Sequence, residues 1–250
     1  MEIWLLLVIF GIVLLAFFTE SVVGFGATVI TVSLGAHLVA LDVLLPAFVP
    51  LSALLSLILV SRHHEHIDFP FLIRRVAAPV GFGTLVGMGL FRVLDSTQLL
   101  TIFAAFVLVM AARELRRIYR GGEEPPPLNL GVGFSLLGAG GVIHGMFGSG
   151  GPMIVYVLGR EITQKSRFRA TLSMLWLVLN IALVIGYVRD DMVNSESLML
   201  SAVMAPALVM GIVVGERVHG RIPESTFRTV TWIILLFGAL TLLLRAIMSA

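Results

Sequence analysis

Cysteine is missing from all 250 residues, and charged residues make up only 13% of them. The first absence excludes disulfides, thiolate metal sites and attached c-type haem, and it leaves the redox compartment unread. The second excludes a water-soluble domain. A chain that is 58% hydrophobic, with a mean hydropathy of +1.03, has too little polar surface to meet water. A net charge of only +2 argues against a nucleic-acid surface. No G-x-x-x-x-G-K-[ST] phosphate loop occurs, so nothing in the chain demands ATP. The opening "MEIWLLLVIFGIVLLAFF" lacks both the basic start and the small-residue cleavage pattern of a signal peptide, and it is expected to be retained.

What is present is uncharged hydrocarbon. Leu99 to Ala112, Leu172 to Val188 and Thr229 to Leu244 carry no charge, which suits segments solvated by lipid. Polar punctuation divides the chain into apolar segments near 3–18, 27–41, 43–60, 71–91, 97–118, 128–143, 152–159, 167–189, 197–217 and 225–247. Most suffice for a bilayer core that needs about 20 helical residues, but 152–159 is too short to cross alone. The expectation is an all-α, polytopic membrane protein.

The two halves resemble each other. At an offset of 124, "ESVVGFGATVITVSLG" (20–35) aligns with "HGMFGSGGPMIVYVLG" (144–159), so that Gly24, Gly26 and Gly35 fall on Gly148, Gly150 and Gly159. At an offset of 128, Gly83 and Gly87 fall on Gly211 and Gly215, and "LDSTQ" on "IPEST". Repeats of this kind are typical of secondary transporters. Repeat 1 is expected over 1–120, repeat 2 over 128–250, and a linker over 121–127.

Basic residues orient the repeats, because lysine and arginine are retained in cytoplasmic loops. Fourteen of the 17 can be placed inside together, in the groups Arg62 to Arg75, Arg113 to Arg120, Arg160 to Arg169 and Arg217 to Arg228; Arg92, Arg189 and Arg245 are left outside. Both termini then face outside. Residues 113–120 and 160–169 now share one side, so 128–159 must enter and return as a broken or re-entrant hairpin. By the repeat, so must 3–41, which as one straight helix would measure roughly 58 Å. Each half is therefore a broken hairpin followed by three transmembrane helices, and the halves are inverted.

Backbone exposed by such a break is tolerated where protein buries it or a cavity receives it. Gly24, Gly26 and the run Gly148, Ser149, Gly150, Gly151 are the candidate cavity walls, with Pro152 suited to a first helical turn and Ser149 to its cap. Ser21 and Thr28 offer hydroxyls in the first half. Free N–H groups and the helix dipole at such a start favour an anion, and glycine keeps the approach open. The plainer reading is close helix packing through glycine. Glu20 and His144, equivalent residues just before the breaks, are the proton-coupling candidates, unless they sit at a watery mouth. Asn180 and Trp176 could line the cavity, or Asn180 could make an interhelical hydrogen bond. In "RHHEHID" (62–68), His63, His64 and His66 lack a recognised ligand spacing, so a solvated loop is expected and no metal or cofactor. "GSGG" suggests a serine nucleophile, but Phe147 stands where a G-x-S-x-G elbow needs glycine, so no hydrolase is expected.

On "GFGATVITVSLG", "GVIHGMFGSGGPMIVYVLG" and the paired layout across nearly all 250 residues, the chain resembles the TauE/SafE sulfite-exporter-like permeases. Ala27 and Thr28 replace part of the family's glycine run in the first half. The resemblance implies secondary transport, by export, of small sulfur-containing or organic anions such as sulfite, sulfoacetate or thiosulfate across a bacterial cytoplasmic membrane, without ATP hydrolysis. A passive anion channel and a membrane-embedded enzyme are the alternatives.

Overall fold

In lipid a backbone without water must hydrogen-bond to itself, and a helix does so within one segment. The computed structural model of the chain is helical, with no strand among the described residues, which are 3–120, 128–162, 164–218, 232–233 and 235–244. In order the elements are α1 (Ile3–Val23), α2 (Ala27–Gly35), α3 (Leu41–His63), a 3-10 turn (His64–His66), α4 (Phe69–Phe71), a π turn (Leu72–Val76), α5 (Ala77–Val93), α6 (Ser96–Tyr119), α7 (Leu130–Phe147), α8 (Gly151–Glu161), α9 (Lys165–Arg189) and α10 (Ser195–Val218). A further apolar helix is α11 (Leu235–Leu244).

Among the described residues, seven stretches are long and apolar enough to cross a membrane, one of them the continuous run Phe69–Val93. Their outward side chains are hydrocarbon, among them Phe82, Leu85, Val109, Ile185 and Val209, which suits contact with lipid rather than water. The protein is an all-α polytopic membrane protein. Each apolar segment read from the sequence up to residue 217 has its helix. The first runs on to Val23 rather than ending at 18, because no glycine interrupts the turn before Gly24. Local chemistry sets other starts. Asp95 and Gln98 form a reciprocal capping box at α6, and the Asn129 side chain accepts from Gly131 N–H at α7. The expected linker 121–127 and the "IPEST" block (222–226) lie outside the described residues.

Helix boundaries recur 124 residues apart: Val23 and Phe147 end α1 and α7, Ala27 and Gly151 begin α2 and α8, and Leu41 and Lys165 begin α3 and α9. Packing recurs with them. α5 lies along α7, α10 lies along α1, and α3 packs on α9. The first two contacts run through glycine. A Cβ on Gly83 would fall on the Gly138 carbonyl oxygen, and one on Gly87 would fall on that of Val142. In the other pair, a Cβ on Gly211 would come within 2.8 Å of the Phe17 side chain and 2.9 Å of Phe18 N. Only glycine lets these backbones approach so closely.

Members of the basic groups meet at several helix ends. Arg62 pairs with Glu216 at 2.7 Å, Arg167 with Asp68 at 2.8 Å and Arg75 with Glu161 at 3.6 Å, joining the ends of α3, α5, α8, α9 and α10. Arg113 and Arg160 lie over the Tyr156 ring, bringing the end of α6 to the same place. Arg92 pairs instead with Asp190 at 2.6 Å, beyond the other end of α9. His63 closes α3 and His64–His66 form the turn after it.

Candidate functional site

Two helices stop and reverse at glycine. α7 ends at Gly148, whose φ of 64° is left-handed, and its N–H still donates to the His144 carbonyl at 2.6 Å. α1 ends before Gly24 (φ 90°), and Gly26 (φ 104°) precedes α2. An L side chain is strained at these three positions, so backbone conformation alone accounts for glycine there. α8 folds back along α7: a Cβ on Gly140 would meet the Ile154 side chain at 2.8 Å. α7 and α8 therefore form a broken helical hairpin.

Neither returning helix is capped by its own N-cap side chain. The N-cap of α8 is Gly150, not Ser149. Ser149 lies one residue earlier, outside the geometry from which a hydroxyl reaches the first-turn N–H groups, and its Oγ is buried without a partner. At α2 the carboxylate of Glu20, at the end of α1, accepts from Ala27 N–H at 3.2 Å. An acidic side chain of the protein thus occupies the start of α2, where the helix dipole favours negative charge.

Between the two breaks lies a small cavity of about 20 Å³. That is room for the centre of about one water molecule, and little more than the roughly 10–15 Å³ one water requires. Nine of the twelve residues singled out from the sequence line it: Glu20, Gly26, Thr28, His144, Gly148, Ser149, Gly151, Trp176 and Asn180. Its remaining walls are Phe25, Val29 and Ser52.

The other three have different surroundings. Gly24 presents its carbonyl to Trp176, which donates from Nε1 at 3.2 Å and ties α9 to the first break. A Cβ on Gly150 would strike the Gly140 carbonyl oxygen, so packing against α7 accounts for that glycine. Ser21 faces α10, where a Cβ on Gly215 would lie 2.5 Å from its own.

Three polar atoms of the lining are buried with no hydrogen-bond partner: His144 Nε2, Ser149 Oγ and Asn180 Oδ1. Such atoms are rare, because each forfeits hydration without a replacement. His144 is positioned by stacking on Trp176, with ring centroids 5.4 Å apart and planes 10° apart. Its Nδ1 takes a long 3.5 Å contact from Gly150 N–H, an arrangement that puts the ring proton on Nε2 as a donor. Asn180 donates from Nδ2 to Ser52 Oγ at 3.2 Å, joining α9 to α3 and leaving Oδ1 over. The cavity therefore holds a carboxyl, an imidazole, hydroxyls, an amide and two helix starts in an apolar surround.

Phe25, Val29 and Ser52 were not read from the sequence. Phe25 stands between two of the glycines, and the signal there was taken from its neighbours alone. Ser52 is one of three serines on a proline-containing helix, and nothing local distinguishes it from Ser56.

The sulfite exporter TauE/SafE family model matches residues 9–242. A protein described as a probable inner membrane transporter, TsaS of Comamonas testosteroni, is 27% identical over 163 residues. These cover 64% of this chain and 66% of the relative, so the chain spans just under two thirds of that protein's length. No solved structure matches the chain.

Proposed function

The chain belongs to the sulfite exporter TauE/SafE family, and from that premise we propose that it is a secondary transporter, an exporter of small sulfur-containing or organic oxyanions such as sulfite, sulfoacetate or thiosulfate. The coarser statement needs no proposal: the protein is a multi-pass membrane transporter. One observation supports the finer reading best. The buried, unpartnered atoms of His144, Ser149 and Asn180 converge on one cavity between two reversed helix starts. Half-helix starts near the centre of a membrane protein are built to receive an anionic group.

In this reading the substrate enters a cavity with room for about one water molecule, so binding requires the halves to part. Residues 1–120 and 128–250 act as inverted repeats that rock about the site and open it to either side in turn. The membrane is the bacterial inner membrane, with both termini outside.

Coupling to protons follows from Glu20. Its carboxylate already accepts from Ala27 N–H, so it competes with an incoming anion for the start of α2 and repels it besides. A proton on Glu20 removes both obstacles. Proton and anion then favour each other's binding and travel together, so export in this mode draws on the anion's own outward gradient and not on inward-directed protons. His144, stacked and with Nε2 free to donate, offers a hydrogen bond from the other half.

The test is counterflow in proteoliposomes, with sulfite, thiosulfate, sulfonates and carboxylates each competing against one labelled anion. Saturable exchange that is accelerated by substrate on the far side is expected. Flux that neither saturates nor exchanges indicates a channel, and recovery of a chemically altered substrate indicates an enzyme.

A further inference from the structure

Arg169 belongs by its spacing to a cytoplasmic loop group, yet the fold draws it into α9. It is half-buried, and its Nε and Nη2 are shielded from solvent without a hydrogen-bond partner. These two nitrogens form one edge of the guanidinium, the side-on fork that meets both oxygens of a carboxylate or sulfonate. Desolvated guanidinium donors without acceptors are costly.

Glu216 is close enough to act on Arg169 electrostatically, but its oxygens accept hydrogen bonds from Arg62 at 2.7 Å and do not meet the buried Nε and Nη2 of Arg169. His63, the other titratable group that senses Arg169, offers no negative charge.

Position gives the fork a use. A Cβ on Gly24 would lie 3.5 Å from Arg169 Cγ, so Arg169 stands beside the first helix break. Along α9, Arg169, Ser173, Trp176 and Asn180 follow at spacings of four, three and four, which places them on one face. Trp176 and Asn180 line the cavity, and Arg169 lies seven residues, about 10 Å, before Trp176. Gly24 is held from both sides, by the Trp176 hydrogen bond and by the Arg169 stem.

We propose that the side-on edge of Arg169 is a second oxyanion-binding position, which holds the substrate between the cavity and the end of the molecule where Arg62, Arg75 and Arg167 gather. The inference rests on the anion-transport reading above. It adds a station on the route and names the residue that makes it.

The test is equilibrium binding of radiolabelled thiosulfate, and of sulfite and acetate in parallel, to the purified chain. Wild type is compared with Arg169→Gln, Arg169→Lys and Asn180→Ala, with thermal unfolding of each as the folding control. Two anions per wild-type chain are expected. Arg169→Gln should lose one of them. Arg169→Lys, which keeps the charge and loses the fork, should weaken that one by about tenfold, while Asn180→Ala should weaken the other. Wild-type stoichiometry and affinity in both Arg169 variants overturns the inference, and so does a single wild-type site that only Asn180→Ala removes. In either case the cavity reading stands. If Asn180→Ala changes nothing while Arg169→Gln abolishes a site, the cavity reading falls and Arg169 stands. A wild type that binds none of the three anions overturns both. Should the Arg169 variants not fold, wild-type Arg169 is labelled with phenylglyoxal and read by mass spectrometry. Protection by thiosulfate is expected, and its absence overturns the inference.

Discussion

Replacing Glu20 by glutamine tests the coupling mechanism at its one charged contact. Glutamine keeps the shape of the side chain and an oxygen that can accept from Ala27 N–H, but it stays neutral at every pH, as a protonated Glu20 would be. Two effects follow. At alkaline pH, where Glu20 is ionised, the variant removes a negative charge from a cavity that must admit another. At a separation of ~6 Å and an effective dielectric of ~20, two like charges repel by about 3 kcal/mol, roughly 100-fold in affinity. The variant should therefore bind the anion more tightly than wild type above neutrality and lose the advantage as pH falls. The second effect is the slope. If one proton binds with each anion, the wild-type Kd rises by up to about tenfold per pH unit on the alkaline side, and that of Glu20→Gln stays flat. Anion-dependent thermal stabilisation of the purified protein between pH 5 and 9 reads both, and an imposed pH gradient in proteoliposomes should drive uptake in wild type alone. A Glu20→Gln protein with the wild-type slope would refute the argument, whatever its affinity.

Other expectations follow from the packing. Gly83→Leu should lower thermal stability by at least about 1–3 kcal/mol, because a Cβ there meets the Gly138 backbone. Gly150→Leu should do the same through Gly140, whereas Gly89→Ala, with nothing within 4 Å of its Cβ, should be silent; equal unfolding temperatures for Gly83→Leu and Gly89→Ala would show the α5–α7 contact to be loose. Trp176→Phe leaves the Gly24 carbonyl without its donor and should cost about 1–3 kcal/mol in the same assay, with weaker anion binding as His144 loses its stacking partner's anchor. For topology, a phosphatase fused after Ala250 should be active and a cytoplasm-dependent fluorescent reporter at the same place dark, and the reverse pattern would remove the basis for inverted repeats.

The helices were legible because membrane sequence is nearly binary. Lipid demands unbroken hydrocarbon, so the residues that interrupt it mark where chains turn, and Gly24 to Gly26 and Gly148 to Gly151 did so in both halves. The purposes of the individual glycines were not legible. A left-handed φ at Gly148 and a backbone collision at Gly150 are both written as glycine, and only the path of α7 separates them. Ser149 looked like a cap because it precedes Pro152, but the helix begins one residue later than a serine cap requires. Arg169 read as a loop charge because spacing sets the side of the membrane a residue is near, not how far a helix draws it inward. Ser52 was missed because its partner, Asn180, lies 128 residues away.

The asymmetry between the halves bears on mechanism more than their likeness does. Two identical helix starts facing one cavity would offer an anion favourable potential from both sides, with nothing between the halves to make its binding depend on a second ion. Here the equivalent positions are Glu20 and His144. One carries an acceptor that already fills the start of its own helix, and the other presents an unpartnered donor. In the proposed mechanism the first half resists the anion until a proton arrives, while the second half attracts it throughout. Ala27 and Thr28, standing where the other half has Gly151 and Pro152, extend the same division. α2 keeps an N–H at Thr28 where proline leaves α8 without one, so the half with more donors is also the half with the carboxylate to occupy them. On the transport reading proposed above, the repeated scaffold would supply the two-sided access, and the unlike residues the dependence on a second ion. Exchanging the pair, as Glu20→His with His144→Glu, should preserve anion binding and its pH dependence while moving the proton-sensitive contact to α8; a swapped protein whose binding no longer responds to pH would show that coupling depends on the Ala27 contact itself.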